Sequence, residues 1–159
     1  VLAALESLGL PLPESAIRDG LANARLAGRM QRLQDEPLVI VDVAHNPHSA
    51  AYLASQLRQL PGKGKRRAVV GMLKDKDMAG SLAELDGLID QWFLASLTGP
   101  RAATAEQLAA APGDGQGPAA AFDGVTAAYR AALAASSPAA MVTVFGSFYT
   151  VADVLAASA

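Results

Sequence analysis

At 159 residues, with 52% hydrophobic and 18% charged side chains, the chain can bury one sizeable core and is short for two domains. Thirteen Lys and Arg against fifteen Asp and Glu leave a formal net charge of −2, so no global field draws it to nucleic acid or to an anionic membrane. The lack of cysteine excludes disulfides, thiolate zinc sites and cysteine nucleophiles, and is compatible with a cytoplasmic protein.

The first predicted element is a helix over residues 1–8, with Leu2, Leu5 and Leu8 on one face and Gly9 past its carboxyl end. Pro13, Glu14 and Ser15 open a second helix reaching about Asn23. Because the chain starts inside a helical pattern, it reads as a fragment of a longer polypeptide. Residues 1–26 are expected to be the tail of a preceding domain, and residues 27–159 a domain of their own. No apolar run has the length needed to span a bilayer.

Residues 30–34 and 38–41 are short strands joined by Asp35, Glu36 and Pro37. A hairpin turning between Asp35 and Glu36 sets Arg29 opposite Asp42, guanidinium against carboxylate, although Asp-Glu lacks the glycine that tight turns favour. The next helix, residues 48–60, carries Tyr52, Leu53, Leu57 and Leu60 at helical spacing and ends at Pro61 and Gly62, which suits a crossover to a parallel strand. Lys63, Lys65, Arg66 and Arg67 read as a solvated loop, since a phosphate track needs basic residues spread over a face.

A strand follows at 67–70, a helix at 78–88 and a strand at 89–97 that holds Trp92 and Phe93. The Ala-, Gly- and Pro-rich section 102–121 is expected to hold one short helix, 104–110, and then a mobile loop. Asp123 is expected to cap a helix reaching about Ala135, before a strand at 141–145 and a helix at 149–157. Trp92, Phe93, Phe122 and the methionines read as core. Strands alternating with helices indicate an α/β layered sheet.

Three strands end in polar clusters: Asp42, Val43, Ala44, His45, Asn46, Pro47; then Gly71 with Lys74, Asp75, Lys76 and Asp77; then Gly146, Ser147, Phe148, Tyr149, Thr150. Parallel strands would align all three along the carboxyl edge, where open α/β sheets hold ligands. Each cluster also has a bland reading, in which Asp42, Asn46, Asp77 and Ser147 cap turns and helices and His45 is a satisfied loop residue. The functional reading places a carboxylate and an imidazole beside a helix amino end that attracts anions. Lys76 is favoured over Lys74 as the cation because it adjoins the capping Asp77. Ser147 lacks the glycine pattern of a nucleophile elbow and suits anion binding. No GxxxxGK[ST] loop occurs, and no GxGxxG follows a strand. His45 and His48 share one segment without further ligands at zinc spacing.

At these residues the sequence resembles the carboxyl-terminal domain of the bacterial folylpolyglutamate synthases, in particular their bifunctional dihydrofolate synthase form, of Mur ligase type. The match comprises Gly28-Arg29-Met30-Gln31, the run from Asp42 to His48, the run from Gly71 to Asp77, Gly99-Pro100-Arg101-Ala102-Ala103, and Gly146-Ser147-Phe148-Tyr149-Thr150-Val151. One departure is Ala27, where the family often has proline. The resemblance implies a Rossmann-like open, mostly parallel sheet flanked by helices, with a short amino-terminal antiparallel strand pair. It implies a ligase that uses ATP and magnesium to phosphorylate a pteroate or folate carboxylate, which the amine of L-glutamate then attacks.

By the same resemblance, His45 and Lys76 are the catalytic candidates. Arg29, Asp42, His45 and Asn46 would contact the nucleotide, and Ser147 and Lys76 would hold glutamate. Magnesium ligands are expected mainly in an amino-terminal ATPase domain that this chain lacks, so the chain alone is expected to be inactive. Two other readings stay open from the residues themselves: a non-catalytic nucleotide or amino-acid binding module, and a flavodoxin-like domain whose strand-end acids only cap helices.

Overall fold

A continuous apolar run such as Leu-Val-Ile-Val at 38–41 is what a parallel strand covered on both faces requires. The computed structural model, which describes residues 2–9, 13–24, 26–61, 64–111 and 117–158, contains such a sheet. In chain order the elements are α1 (Leu2–Ser7), α2 (Glu14–Asn23), β1 (Gln31–Asp35), β2 (Leu38–Val41), α3 (Pro47–Gln59), β3 (Arg66–Val70), α4 (Met78–Ala83), β4 (Gln91–Ala95), α5 (Ala105–Ala109), β5 (Ala119–Phe122), α6 (Val125–Ala134), β6 (Met141–Phe145) and α7 (Phe148–Ala157). The sheet order is β1-β2-β6-β3-β4-β5. β1 is antiparallel to β2 and every other pairing is parallel.

Side chains alternate between the two faces with the period of two that a strand dictates. Ile40, Ala68, Val70, Trp92 and Leu94 pack with Leu53, Leu57, Leu82, Leu85 and Leu108 from α3, α4, α5 and their flanks. Val39, Val41, Val69, Phe93, Val142 and Val144 pack with Val125, Ala128, Tyr129, Val151 and Val154 from α6 and α7. The chain thus runs outward from β2 through β3, β4 and β5 under one helical layer, returns under α6, and inserts β6 between β2 and β3. That reversal leaves a crevice at the carboxyl ends of the central strands.

Several expectations are corrected. The hairpin turns at Glu36 and Pro37, one residue later than expected, and its register shifts between Arg32 and Gln34. Gln31 consequently faces Val41, Met30 comes next to Asp42, and Arg29 does not stand opposite it. The helix expected over 78–88 ends at Ala83 and continues in tight turns through Leu85 and Leu88. Gly124, not Asp123, occupies the cap position of α6, without a side-chain bond. Part of the section expected to be a mobile loop is β5, paired to β4; residues 112–116 of it lie outside the described residues, as do Gly62 and Lys63.

The basic cluster is also less solvated than its composition implied. Arg66 donates to the carbonyls of Leu57 (2.9 Å) and Leu60 (3.2 Å), satisfying the carboxyl end of α3. Arg67 is buried in β3, bonded to Gln91 and Ser136. Of the two opening helices, α2 buries no residue, and Leu8, Leu21 and Leu26 in this opening segment are exposed. No helix among the described residues is long and apolar enough to cross a membrane.

Candidate functional site

The site is built where three strand ends meet. At the end of β2, the Asp42 carboxylate is buried and spends both oxygens on backbone. Met30 N–H donates to Oδ2 and Ala44 N–H to Oδ1, each at 2.8 Å. Val43 N–H adds a bond to the Gly28 carbonyl (2.8 Å) and Gly28 N–H one to Gln31 Oε1 (2.8 Å). These bonds clamp the loop 28–31 onto the end of β2 and hold Met30 at φ +44°, a conformation that non-glycine residues adopt only when held there. Gly28 sits at φ +68°, and a Cβ on it would come within 2.9 Å of Val43 Cγ1.

Arg29 is thereby fixed at its backbone while its side chain is exposed. Among the described residues its guanidinium makes no hydrogen bond or ion pair, and it lines a separate hollow with Met30, Gln31 and Arg32. A solvated guanidinium on an anchored loop has all of its donors free for a phosphate or carboxylate.

Beyond Asp42, Asn46 caps α3 as expected: its side chain accepts from Ser49 N–H, Ser49 reciprocates, and Pro47 takes the first helical position. His45 donates from Nδ1 to the Val43 carbonyl (2.8 Å), which assigns the tautomer and leaves Nε2 as the free nitrogen. At the end of β6, Gly146 N–H donates to the Ala44 carbonyl (2.8 Å), and Gly71 N–H at the end of β3 donates to Phe145 (3.4 Å). The three loops are joined through their backbones.

They enclose a cleft of about 170 Å³ lined by His45, Leu73, Lys76, Arg101, Gly146, Ser147, Phe148 and Tyr149. Of the residues singled out in the sequence, His45, Lys76 and Ser147 meet there. Asp42 and Asn46 support the cleft from behind as anchor and cap, and Arg29 lies outside it.

Arg101 was missed, although it belongs to a quoted motif. Its guanidinium grips Asp75 with two bonds, Nε to Oδ1 (3.1 Å) and Nη2 to Oδ2 (2.7 Å), while Lys76 Nζ lies 3.7 Å from the same carboxylate. Lys74 N–H donates to the Arg101 carbonyl, and Ala103 N–H to Met72, so the loops after β3 and β4 form one wall. Two cations against one carboxylate leave that wall with a surplus positive charge facing the cleft. Phe148 and Tyr149 stand exposed at its mouth.

The hydrogen bonds from Arg101 hold the Asp75 carboxyl below its ordinary range, against a smaller desolvation effect. A depressed carboxylate stabilises the fold above its unfolded-state pKa and loses that contribution as pH falls through the folded value. The pair is exposed, so the stabilisation is small. A carbon-detected NMR titration is expected to place the Asp75 midpoint below that of a free aspartate, and Arg101→Ala to return it upward. An unchanged midpoint would remove the pair from the description of the wall.

Comparison with known proteins agrees with this architecture. The family model described as Mur ligase, glutamate ligase domain, matches residues 28–148. The chain is 51% identical over 154 residues to the dihydrofolate synthase/folylpolyglutamate synthase of Escherichia coli K12, covering 97% of this chain and 36% of that protein. It is 36% identical over 107 residues to the Mycobacterium tuberculosis protein of the same name, covering 67% of this chain and 22% of that protein. Among solved structures, E. coli FolC in complex with DHPP and ADP superposes with a TM-score of 0.88 at 49% identity, over 98% of this chain and 37% of that one. A bifunctional folylpolyglutamate synthase/dihydrofolate synthase with Mn, AMPPNP and L-glutamate bound gives 0.87 at 49% identity, with the same coverage. The chain therefore spans a little over a third of the length of the E. coli relative. By the extent of the family match and by identity, this chain belongs to the Mur ligase family as a glutamate ligase domain.

Proposed function

We propose that residues 27–159 form the carboxyl-terminal domain of an ATP-dependent ligase that adds L-glutamate to dihydropteroate, to (tetrahydro)folate polyglutamates, or to both. Residues 1–26 would then close a preceding ATPase domain and link it to this one. The observation that carries the reading is the strand-end cleft, in which Lys76, Arg101, His45 and Ser147 converge in a chain 51% identical to the E. coli enzyme. An amino acid with two carboxylates suits a wall whose two cations outnumber its one carboxylate.

The exposed Arg29 fits a nucleotide phosphate delivered by the partner domain, and Asp42 would serve that contact by holding the loop. Asn46 would act likewise, through the amino end of α3. Among the described residues no three His, Asp or Glu side chains cluster to hold a metal. As part of the same proposal, the donors for magnesium would lie mainly in the preceding domain. In the reaction, the acceptor's carboxylate takes the terminal phosphoryl group of ATP, and the glutamate amine then displaces phosphate to form the amide. This domain's own residues would bind and orient the amine donor, and closure would shield the activated carboxyl from water. A cytoplasmic location suits this reading, because ATP and reduced folates are available there.

The test is steady-state kinetics of the full-length enzyme with Lys76→Ala, following glutamate-dependent ADP formation. Loss of a charge-assisted contact is expected to lower kcat/KM for L-glutamate roughly 10- to 100-fold. Lys74→Ala, whose side chain is exposed and shares a neighbouring groove with Lys76 but does not line the cleft, is expected to change it less than about 3-fold. Equal behaviour of the two variants would refute the assignment.

A further inference from the structure

Neither His45 nor Lys76 accounts for how Ser147 is held at the cleft, and the residue that holds it is Thr150. Thr150 lies in the first turn of α7 and is fully buried; Ser147 is 4% exposed. Thr150 Oγ1 lies 2.6 Å from the Gly71 carbonyl and 2.8 Å from Ser147 Oγ, and Thr150 N–H donates to Ser147 Oγ at 3.0 Å. A carbonyl only accepts, so the single Thr150 hydroxyl hydrogen goes to Gly71, and Ser147 is the donor in the bond between the two hydroxyls. The Ser147 oxygen is therefore located twice, once by each polar group of Thr150. Its hydrogen can still turn toward a ligand while the N–H bond keeps the oxygen in place.

The far end of this relay matters equally. Gly71 opens the loop that carries Lys76, while Ser147 begins α7. From this geometry we infer that Thr150 is a positioning residue, which locks the β3 loop to the amino end of α7 and so sets the separation between Lys76 and Ser147. It touches no ligand itself. The inference rests on the ligase reading above, in which those two side chains hold the incoming glutamate, and it identifies what keeps them in register.

The experiment uses the full-length enzyme with Thr150→Val, which keeps the shape and removes the relay, and Thr150→Ser, which keeps the relay and removes a methyl group. Thr150→Val is expected to raise KM for L-glutamate about 10-fold, with KM for ATP within about 2-fold of wild type, and Thr150→Ser to restore the glutamate KM to within about 3-fold. If the valine variant does not fold, Thr150→Ala, which leaves room for a water at the Gly71 carbonyl, is read in the same way. A variant that loses thermal stability while both KM values stay at wild type, or that raises both alike, would show a purely structural threonine and overturn the inference. If wild-type enzyme forms no ADP in response to glutamate, the ligase reading itself fails, and that outcome is separate.

Discussion

Asp42→Ala is expected to destabilise the fold by about 1–4 kcal/mol, because it strips two buried or half-buried N–H groups of their acceptor at about 1–3 kcal/mol each. Those groups belong to Met30 and Ala44, and Ala44 is fully buried, where water cannot replace the carboxylate. Relaxation of Met30 from its left-handed conformation returns part of the loss, of order 1–2 kcal/mol, which is why the upper end of a two-bond sum is not reached. Asn at 42 is expected to rescue only partly: one amide oxygen can accept, while the NH₂ group meets an N–H head-on. Urea unfolding of the two variants measures this. The partner experiment is Arg29→Ala, whose exposed side chain predicts a stability change within about 0.5 kcal/mol. If Arg29 is a nucleotide contact, ATP binding to the full-length enzyme weakens in both variants while only Asp42→Ala loses stability. An Asp42→Ala protein as stable as wild type would show that the carboxylate is not the anchor of the 28–31 loop.

What could be read from the residues is what local chemistry decides. Asn46-Pro47, Asp77 and Ser147 announce helix starts because a short acceptor side chain satisfies the free N–H groups of a first turn wherever it lies in a fold. The runs at 38–41 and 141–145 announce buried parallel strands for the same reason of local composition. β5 could not be read this way. Ala119, Ala120 and Ala121 favour a helix intrinsically, and become a strand only because β4 offers an edge to pair with.

Arg101 was hidden because the carboxylate that defines its role, Asp75, lies 26 residues away and meets it only when β3 and β4 are neighbours. The misplaced Arg29 has another origin. Strand patterning sets which residues are apolar but not where the turn falls: a turn one residue later moves every partner by two, and the bulge between Arg32 and Gln34 restores only one of them. The site was thus legible as an edge of the sheet, and its partners across the cleft were not.

Gly146→Ala is the substitution expected to damage that edge most directly. Gly146 has φ +114°, and a Cβ there would lie 2.5 Å from the Gly71 carbonyl oxygen and 2.8 Å from Met72 Cγ. The oxygen cannot retreat freely, because it accepts from Thr150, and Gly146 cannot swing away, because its N–H is bonded to Ala44. The positive φ adds about 1–2 kcal/mol and forcing a methyl group into packed backbone adds about 1–3 kcal/mol, so a loss of roughly 2–5 kcal/mol is expected in denaturant unfolding. Gly87→Ala separates the two contributions: Gly87 also has a positive φ, +69°, but nothing lies within 4 Å of its missing Cβ. Only the conformational part, about 1–2 kcal/mol, should appear there. Equal losses in the two variants would mean that β3 and β6 part without strain at their carboxyl ends. Lys76 and Ser147 would then have no rigid frame between them.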